Sequence, residues 1–380
     1  MTAWTTAADI RARARRRWDD GSILRSVAAD APFPVIEVPL RGPRPGDIGD
    51  ALDAVRSWIA GLEAGSRSGS RYKVRYVLVG GRLIGRNSLP SRAVVESYEQ
   101  AVALLGVVDQ LRAYEAVLSA VEPEPVVRAW VAANPLRALE TAELWPTLLS
   151  AYRWLNTARG SGRYLREITA PGVDTKFVER HRALLAQLLG VPSTVTGFLT
   201  GLGLSIKPEA LRLRPSQAAG LTAGLSDLTV RLDELAKLNL AVSRALVIEN
   251  EITFLSVPIP RDGAVLWGKG FEVDRTGAMP WLADAEVAYW GDLDTHGFAI
   301  LNQLRAWLPQ TRSVLMDRGT LLAHRDRWVI EPSPTAARLD RLTADEQALY
   351  QDLVTDRLGE RVRLEQERIA WDWVAERLPC

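Results

Sequence analysis

The carboxyl-terminal third of the chain has an alternating pattern that restricts its fold more than any other feature of the sequence. From Asn239 onward, short apolar runs alternate with longer connections, and one of these connections, Thr295–Leu308, has helical periodicity. Strands that alternate with helices or loops are typical of a parallel α/β sheet. The predicted strands are Arg244–Asn250, Val265–Lys269, Ala285–Trp290 and Ser313–Met316.

Three acidic residues lie at the ends of these predicted strands. Glu249 ends the first strand, and Asp292 and Asp294 follow the third. Because ligands bind outside the carboxyl ends of parallel strands, we expect these side chains to converge at one edge of the sheet. Neighbouring carboxylates repel each other unless a cation separates them, and hard oxygen ligands select Mg²⁺ or Mn²⁺. The pattern predicts a metal site for a phosphoester substrate.

Each acid of the predicted site has a chemical role. Asp292 and Asp294 project to the same side of an extended chain and hold the ion. Glu249 either shares the metal or acts as a general acid or base on the attacking water. Lys269, at the end of the second strand, is predicted to contact the scissile phosphate.

Further oxygen ligands are needed if a second ion binds, and the acids also have simpler interpretations. The candidates for additional ligands are Glu251, Asp317 and Glu365. Asp317 is favoured because it too ends a predicted strand. Acids after strands also serve as loop residues or helix caps, and Asp294 is placed to cap the helix that begins at Thr295.

The first 122 residues combine helical and strand patterns. Phe33–Leu40 alternates like a short strand, and Tyr72–Val79 and Gly81–Ile84 flank Gly80 like the strands of a hairpin. The stretch therefore predicts a mixed α/β module. Its predicted helices are Ala7–Trp18, Ala51–Leu62 and Ser97–Val121.

Prolines at positions 123, 125 and 135 indicate a boundary, after which residues 136–235 are almost entirely helical in pattern. Asp174 is placed to cap a helix Asp174–Leu189, and the alternating run Ala210–Arg214 then fits a winged-helix-like unit. A charged helix is predicted at Arg361–Leu378. The predicted fold class is a multidomain α+β protein, with a mixed α/β module at 1–122, a helical winged-helix-like domain at 123–237 and an α/β domain with a parallel sheet at 238–380.

Composition excludes several classes of protein. The one cysteine, Cys380, excludes an internal disulfide framework and a cysteine-based zinc site. No apolar run reaches the roughly 18 residues of a membrane helix, and the amino terminus lacks the apolar segment of a signal peptide, so we expect a cytoplasmic protein without membrane contact. The formal net charge is +1, so any nucleic-acid contact must come from local basic patches.

Several separated motifs resemble one bacterial protein family. They resemble the nuclease subunit of the Wadjet plasmid-defence system, a family called JetD or MksG, over nearly the whole chain. The motifs are FPVIEVPLRGP (Phe33–Pro43), IGRNSLPSR (Ile84–Arg92), RYLREI (Arg163–Ile168), GVDTKFVERH (Gly172–His181), VIENEITFLSVP (Val247–Pro258), YWGDLDTHGFAIL (Tyr289–Leu301) and VLMDRGTLLAHRDRW (Val314–Trp328).

This resemblance implies a Toprim nuclease domain preceded by a winged-helix domain like that of the catabolite activator, as in the A subunit of type IIB topoisomerases. Glu249 then matches the Toprim glutamate, and Asp292 and Asp294 match its aspartate pair. The resemblance also implies an endonuclease that uses Mg²⁺ or Mn²⁺, forms a homodimer and cuts circular plasmid DNA. Its implied partners are double-stranded DNA and the SMC, kleisin and KITE-type subunits of a condensin-like complex. In the winged-helix setting, Lys176 and Arg180 are expected to contact DNA phosphates.

Two other functions remain open from the sequence. A tyrosine-dependent topoisomerase needs a nucleophilic tyrosine, and neither Tyr152 nor Tyr164 lies in a matching motif, which favours metal-dependent hydrolysis. A covalent protein–DNA adduct would indicate the topoisomerase. The third hypothesis is a non-catalytic DNA-binding adaptor with a vestigial Toprim domain, which a lack of cleavage with metal and all partners would indicate.

Overall fold

The computed structural model describes residues 4–43, 51–81, 85–221 and 224–378. It shows a mixed α/β protein whose internal contacts divide the chain into two compact units, Met1–Ile206 and Lys207–Cys380. None of the helices in the described ranges has the length and apolarity that a membrane-spanning helix needs.

The first unit contains a three-stranded antiparallel sheet with the strand order β1-β3-β2. Its strands are β1 (Ile36–Pro39), β2 (Lys73–Gly81) and β3 (Gly85–Val95). Strand β1 confirms the strand predicted at Phe33–Leu40. The predicted turn at Gly80 is wrong, because Gly80 lies within β2 and pairs with Arg86. Gly81 pairs with Gly85, so most of the predicted strand Gly81–Ile84 falls at 82–84, outside the described residues.

Helices make up most of the rest of this unit. Its first helix begins with a capping box, in which Thr6 N donates to Asp9 Oδ2 at 2.8 Å. The long helix predicted at Ser97–Val121 is two helices, because Gly106 adopts a left-handed conformation with φ 73° and ends the first. The helices are Ala7–Asp19, Ser22–Ala28, Leu52–Ser66, Tyr98–Leu105, Val108–Val121, Pro125–Ala133, Pro135–Glu140, Trp145–Thr157, Thr175–Arg180, Arg182–Leu189 and Val195–Gly201.

One apolar core extends through this unit from Ile10 to Leu204. Pro125 and Pro135 do not interrupt it, because each stands at the start of a helix, where its missing N–H and fixed φ are tolerated. The contacts divide the chain between Ile206 and Lys207, and the three domains 1–122, 123–237 and 238–380 stay a prediction. Asp174 caps a helix as predicted, accepting a hydrogen bond from Phe177 N at 2.7 Å, but that helix ends at Arg180 and a second one follows.

The second unit is built on a six-stranded mixed sheet with the order β5-β4-β7-β6-β8-β9. Strands β6, β7, β8 and β9 are parallel to their neighbours in this group, as predicted, and β4 and β5 add an antiparallel edge. The strands are β4 (Ala210–Pro215), β5 (Leu228–Arg231), β6 (Arg244–Ile248), β7 (Gly263–Trp267), β8 (Glu286–Trp290) and β9 (Arg312–Ser313).

Strand β4 corrects the winged-helix-like interpretation of Ala210–Arg214. Leu213 pairs with Leu266 of β7, so this run extends the sheet of the second unit instead of completing a helical domain. Its alternation has a simple cause, because Leu211 and Leu213 are buried in the core of that sheet and the intervening arginines are not.

Helices and a small hairpin complete the second unit. Strands β10 (Val329–Ile330) and β11 (Val362–Arg363) pair antiparallel. The charged helix predicted at Arg361–Leu378 is wrong, because this segment contains β11, a turn of 3₁₀ helix at Gln366–Arg368 and only a short α-helix. The α-helices of the unit are Leu232–Leu235, Glu251–Ser256, Val273–Gly277, Thr295–Trp307, Arg318–Ala323, Ala344–Val354 and Trp371–Ala375.

Candidate functional site

Three carboxylates meet at the carboxyl edge of the parallel strands. Strands β6 and β8 are parallel neighbours in which Ile248 pairs with Trp290. The chain therefore leaves both strands at the same edge, Glu249 from β6 and Asp292 with Asp294 just after β8. Glu249 N donates to the carbonyl oxygen of Trp290 at 3.3 Å, which joins the two strand ends.

Glu249 lies in a partly buried, acidic environment. Its Oε2 accepts a hydrogen bond from the hydroxyl of Tyr289 at 3.1 Å, and its carbonyl oxygen accepts one from Trp267 Nε1 at 3.0 Å. Burial, as the largest cause, and the negative charges of Asp292 and Asp294 together raise the pKa of Glu249 to about 7. A carboxyl with this pKa exchanges a proton near neutral pH.

Asp294 begins the helix Thr295–Trp307 and faces the same cluster. It is 4% exposed, and its Oδ1 accepts a hydrogen bond from Gly297 N at 2.7 Å. Asp294 therefore caps this helix, as predicted from its position before Thr295. Burial raises the pKa of Asp294 to about 6, and Glu331 and Asp292 contribute to this rise through their charge. Position 297 needs glycine, because a Cβ there would lie 2.0 Å from the carbonyl oxygen of Asp292.

Asp292 is held by the carboxyl-terminal segment of the chain. Its Oδ2 lies 2.6 Å from Arg363 Nη2, and its Oδ1 accepts a hydrogen bond from Gln366 N at 2.9 Å. Arg363 Nε also lies 3.2 Å from Asp294 Oδ2. A guanidinium therefore lies between the two aspartates. The sequence analysis missed Arg363, because it assigned this segment to a charged helix.

Gln366 ties this segment to both central strands. Its side chain is 2% exposed, donates to the carbonyl oxygen of Trp290 and accepts a hydrogen bond from Asn250 N at 3.0 Å. Nothing in the sequence around Gln366 indicates that it belongs to the site. Its role follows only from the proximity of Gln366 to the ends of β6 and β8.

Glu331 is a second residue that the sequence analysis missed. It is 2% exposed, and its carboxylate accepts hydrogen bonds from Thr295 Oγ1 at 2.6 Å and from Thr295 N at 3.2 Å. It lies directly after β10, so it is an acid at the end of a strand, like Glu249. The four-residue run Trp328–Glu331 ending in an acid was the available signal.

The structure gives other contacts to the candidates for additional ligands. Asp317 caps the helix Arg318–Ala323, and its two carboxylate oxygens accept hydrogen bonds from the backbone N and the hydroxyl of Thr320, both at 2.8 Å. Glu251 pairs with Arg212, which also pairs with Asp227. A metal-binding role for either acid stays a prediction.

The predicted DNA-contacting residues lie on exposed positions of both units. Lys269 adopts a left-handed conformation with φ 49° after β7, and its ammonium lies 3.5 Å from Glu272 and 5.6 Å from the centre of the Trp267 ring. Lys176 and Arg180 are exposed on the helix Thr175–Arg180 of the first unit. Their contact with DNA stays a prediction.

The donor set is chemically suited to a hard divalent ion. In the described part of the chain, no three His, Cys, Asp or Glu side chains are already arranged as a complete ligand set. Mg²⁺ binds through only one or two carboxylates and completes its shell with water and phosphate oxygens. Asp292 and Asp294 therefore provide suitable oxygens.

The fold and the site together define a class of protein, an α/β protein with an acidic site at the carboxyl edge of its parallel strands. Comparison with protein families identifies it further. Residues 203–378 match the family model "Wadjet protein JetD, C-terminal", and residues 7–190 match the model of an uncharacterised amino-terminal region conserved in bacteria, DUF3322. The chain belongs to the Wadjet JetD family and is a subunit of a multi-subunit plasmid-defence system. A search of curated proteins finds no match.

Proposed function

We propose that this protein is the metal-dependent DNA endonuclease subunit of its Wadjet system and cleaves circular plasmid DNA by phosphodiester hydrolysis. The observation that carries the proposal is the convergence of Glu249, Asp292 and Asp294 at one edge of the sheet. Family membership supports the plasmid-defence context, and the acidic site supports the phosphodiester chemistry.

The mechanism assigns separate tasks to the carboxylates. Asp292 and Asp294 would hold Mg²⁺ or Mn²⁺, which when bound neutralises phosphate charge and stabilises the leaving 3′ oxygen. Glu249, which lies beside this pair and is hydrogen-bonded to Tyr289, accepts the proton of the attacking water. Burial of Asp294 and Tyr289 keeps the acidic edge poorly solvated on the protein side.

The partners follow from the chemistry and the family. We propose duplex DNA as substrate, with Lys269 contacting the phosphate nearest the site and Lys176 and Arg180 contacting phosphates from the first unit. SMC, kleisin and KITE-type subunits would deliver the circular DNA. A homodimer would place one acidic site on each strand, so a twofold pair cuts both.

Plasmid cleavage tests the proposal. Supercoiled plasmid is incubated with Mn²⁺, with and without the condensin-like partners, for the wild type and for Glu249→Ala and Asp292→Ala. We expect cleavage by the wild type in the presence of the partners and a loss of about 100-fold or more in each variant. The matched control is Glu286→Gln, because Glu286 is exposed at the opposite end of β8 and should leave cleavage unchanged. Full cleavage by either alanine variant would exclude the assigned site.

The same experiment separates the two alternatives. Tyr152 is 7% exposed in the core of the first unit, which disfavours it as a nucleophile, whereas Tyr164 is 42% exposed. A topoisomerase would leave protein covalently attached to the DNA ends, and Tyr164→Phe would abolish the adduct. Absence of any cut with all partners and Mn²⁺ would indicate the non-catalytic adaptor.

A further inference from the structure

The carboxyl-terminal segment 361–368 lies across the acidic edge of the second unit. Strand β11 pairs with β10, and the next residue, Leu364, exchanges backbone hydrogen bonds of 2.9 and 3.1 Å with Leu293, between the two aspartates. Gln366 N then bonds Asp292. These backbone contacts fix the position from which the side chain of Arg363 reaches the site.

Arg363 contacts three carboxylates from this position. Nη2 lies 2.6 Å from Asp292 Oδ2 and 3.5 Å from Glu365 Oε1, and Nε lies 3.2 Å from Asp294 Oδ2. Nε is buried and has no aligned hydrogen-bond acceptor among the described residues. Its attraction to Asp294 is therefore a charge interaction without the directional bond that makes arginine–carboxylate pairs strong.

The contacts of Arg363 conflict with metal binding at the same oxygens. In the described ranges, Arg363 is the one basic residue that forms an ion pair with Asp292 or Asp294. A divalent ion bound to these two Oδ2 atoms would occupy the space that the guanidinium now fills. The two cannot be there at the same time, because they would overlap and their positive charges repel each other.

Glu365 offers the guanidinium a second position. It already lies 3.5 Å from Arg363 and is 25% exposed, and it also pairs with Arg368 at 2.8 Å. A rotation of the Arg363 side chain toward Glu365 would keep the guanidinium paired with a carboxylate after it leaves the two aspartates.

We propose that Arg363 is an internal counter-ion that occupies the space between Asp292 and Asp294 in the metal-free protein and moves to Glu365 when a divalent ion binds. The inference depends on the proposed metal site. It makes metal loading a competition with part of the chain itself, so the position of segment 361–368 controls the metal affinity. By linkage, a partner that bound and moved this segment would change the metal affinity by the same factor by which the metal changes the affinity for that partner.

The proposal predicts opposite effects for two neighbouring substitutions. Arg363→Gln removes the competitor and is expected to tighten Mn²⁺ binding about tenfold. Glu365→Gln removes the second position and is expected to weaken it by a factor of about three. The double variant should match Arg363→Gln alone, because Glu365 then has no guanidinium to receive.

The test is calorimetric titration of the full chain with Mn²⁺ in the absence of DNA, with Mn²⁺-dependent melting as a second readout. Arg361→Gln is the matched control, since Arg361 is in the same segment and, among the described residues, its side chain forms an ion pair only with its neighbour Glu360. A melting curve without metal establishes that each variant folds, and Arg363→Lys, which keeps the charge, should retain weak binding if Arg363→Gln does not fold.

The outcomes separate this inference from the proposed function. If Arg363→Gln binds Mn²⁺ no more tightly than the wild type while Asp292→Ala abolishes binding, Arg363 is not a competing counter-ion. The proposed metal site is then still supported. Weaker binding by Glu365→Gln that persists in the double variant makes Glu365 a direct ligand and also overturns the inference. Failure of the wild type and Arg363→Gln alike to bind Mn²⁺ overturns both proposals.

Discussion

Two acidic sites in the second unit show how burial acts on a carboxylate with and without an aligned partner. Glu346 is 7% exposed, and Arg305 pairs with it through two hydrogen bonds of 2.5 and 3.0 Å. Burial raises the pKa of Glu346, but the hydrogen bonds from Arg305 and Ser313 outweigh it and lower the pKa to about 2. At the sheet edge, burial is the largest cause that raises the pKa of Asp294 to about 6, although Arg363 Nε lies 3.2 Å from its Oδ2.

The difference lies in geometry and in the number of acids. Arg305 presents both terminal nitrogens to one carboxylate, whereas Arg363 is shared among Asp292, Asp294 and Glu365. One guanidinium cannot neutralise three carboxylates, so the edge keeps an excess of negative charge. The comparison indicates that the Arg305–Glu346 pair stabilises the fold. In the edge cluster of Glu249, Asp292 and Asp294, a bound cation would reduce the repulsion between the carboxylates.

The strongest test of this comparison removes the aligned partner. Arg305→Leu leaves Glu346 buried without a positively charged partner, and we expect the free energy of unfolding to fall by about 3–5 kcal/mol. Urea unfolding measures it. Arg338→Ala is the control, because the pair Arg338–Asp340 is exposed and solvent screening leaves it little effect on stability. A similar small effect for both variants would show that the buried pair is not the stronger one.

The pH dependence of stability sharpens the comparison. The pKa of Glu346 is lower in the folded protein than its ordinary value of 4.5, so its contribution is present above pH 4.5 and is lost as the pH falls toward 2. We expect this loss to be about 2 kcal/mol. Unfolding measured between pH 5 and about 2.5 should show it in the wild type and lack it in Glu346→Gln. If the wild type and Glu346→Gln lose the same stability over this pH range, the Arg305–Glu346 pair is not the cause of the loss.

Glu249 in the edge cluster should change the free energy of unfolding with pH in the opposite direction, and by a smaller amount. The pKa of Glu249 is higher in the folded protein than its ordinary value of 4.5, so its ionisation lowers stability as the pH rises through about 7. In metal-free buffer at pH 8, Glu249→Gln is therefore expected to raise the free energy of unfolding by about 1–2 kcal/mol, and at pH 4 the gain should vanish. Destabilisation at pH 8 would mean that the carboxylate is well paired there.

Much of the site was predictable because it depends on local pattern. The strands β6, β7 and β8, the acids that follow β6 and β8, and the capping position of Asp294 all follow from hydrophobic runs and the residues at their ends. The carboxyl-terminal segment was not predictable in this way. Its apolar residues fit a helical period, yet Leu364 pairs with Leu293, which draws the chain into extended structure.

Hydrophobic periodicity specifies the strands β6, β7 and β8 and the acids that follow β6 and β8, because periodicity and strand ends are properties of neighbouring residues. The surroundings of those acids depend on tertiary contacts. Arg363 and Gln366 reach Asp292 across 71 and 74 residues of chain, and Glu331 reaches Thr295 across 36. Such contacts depend on how the chain closes over the sheet, since the charge balance of the edge is set by neighbours in space and not along the sequence.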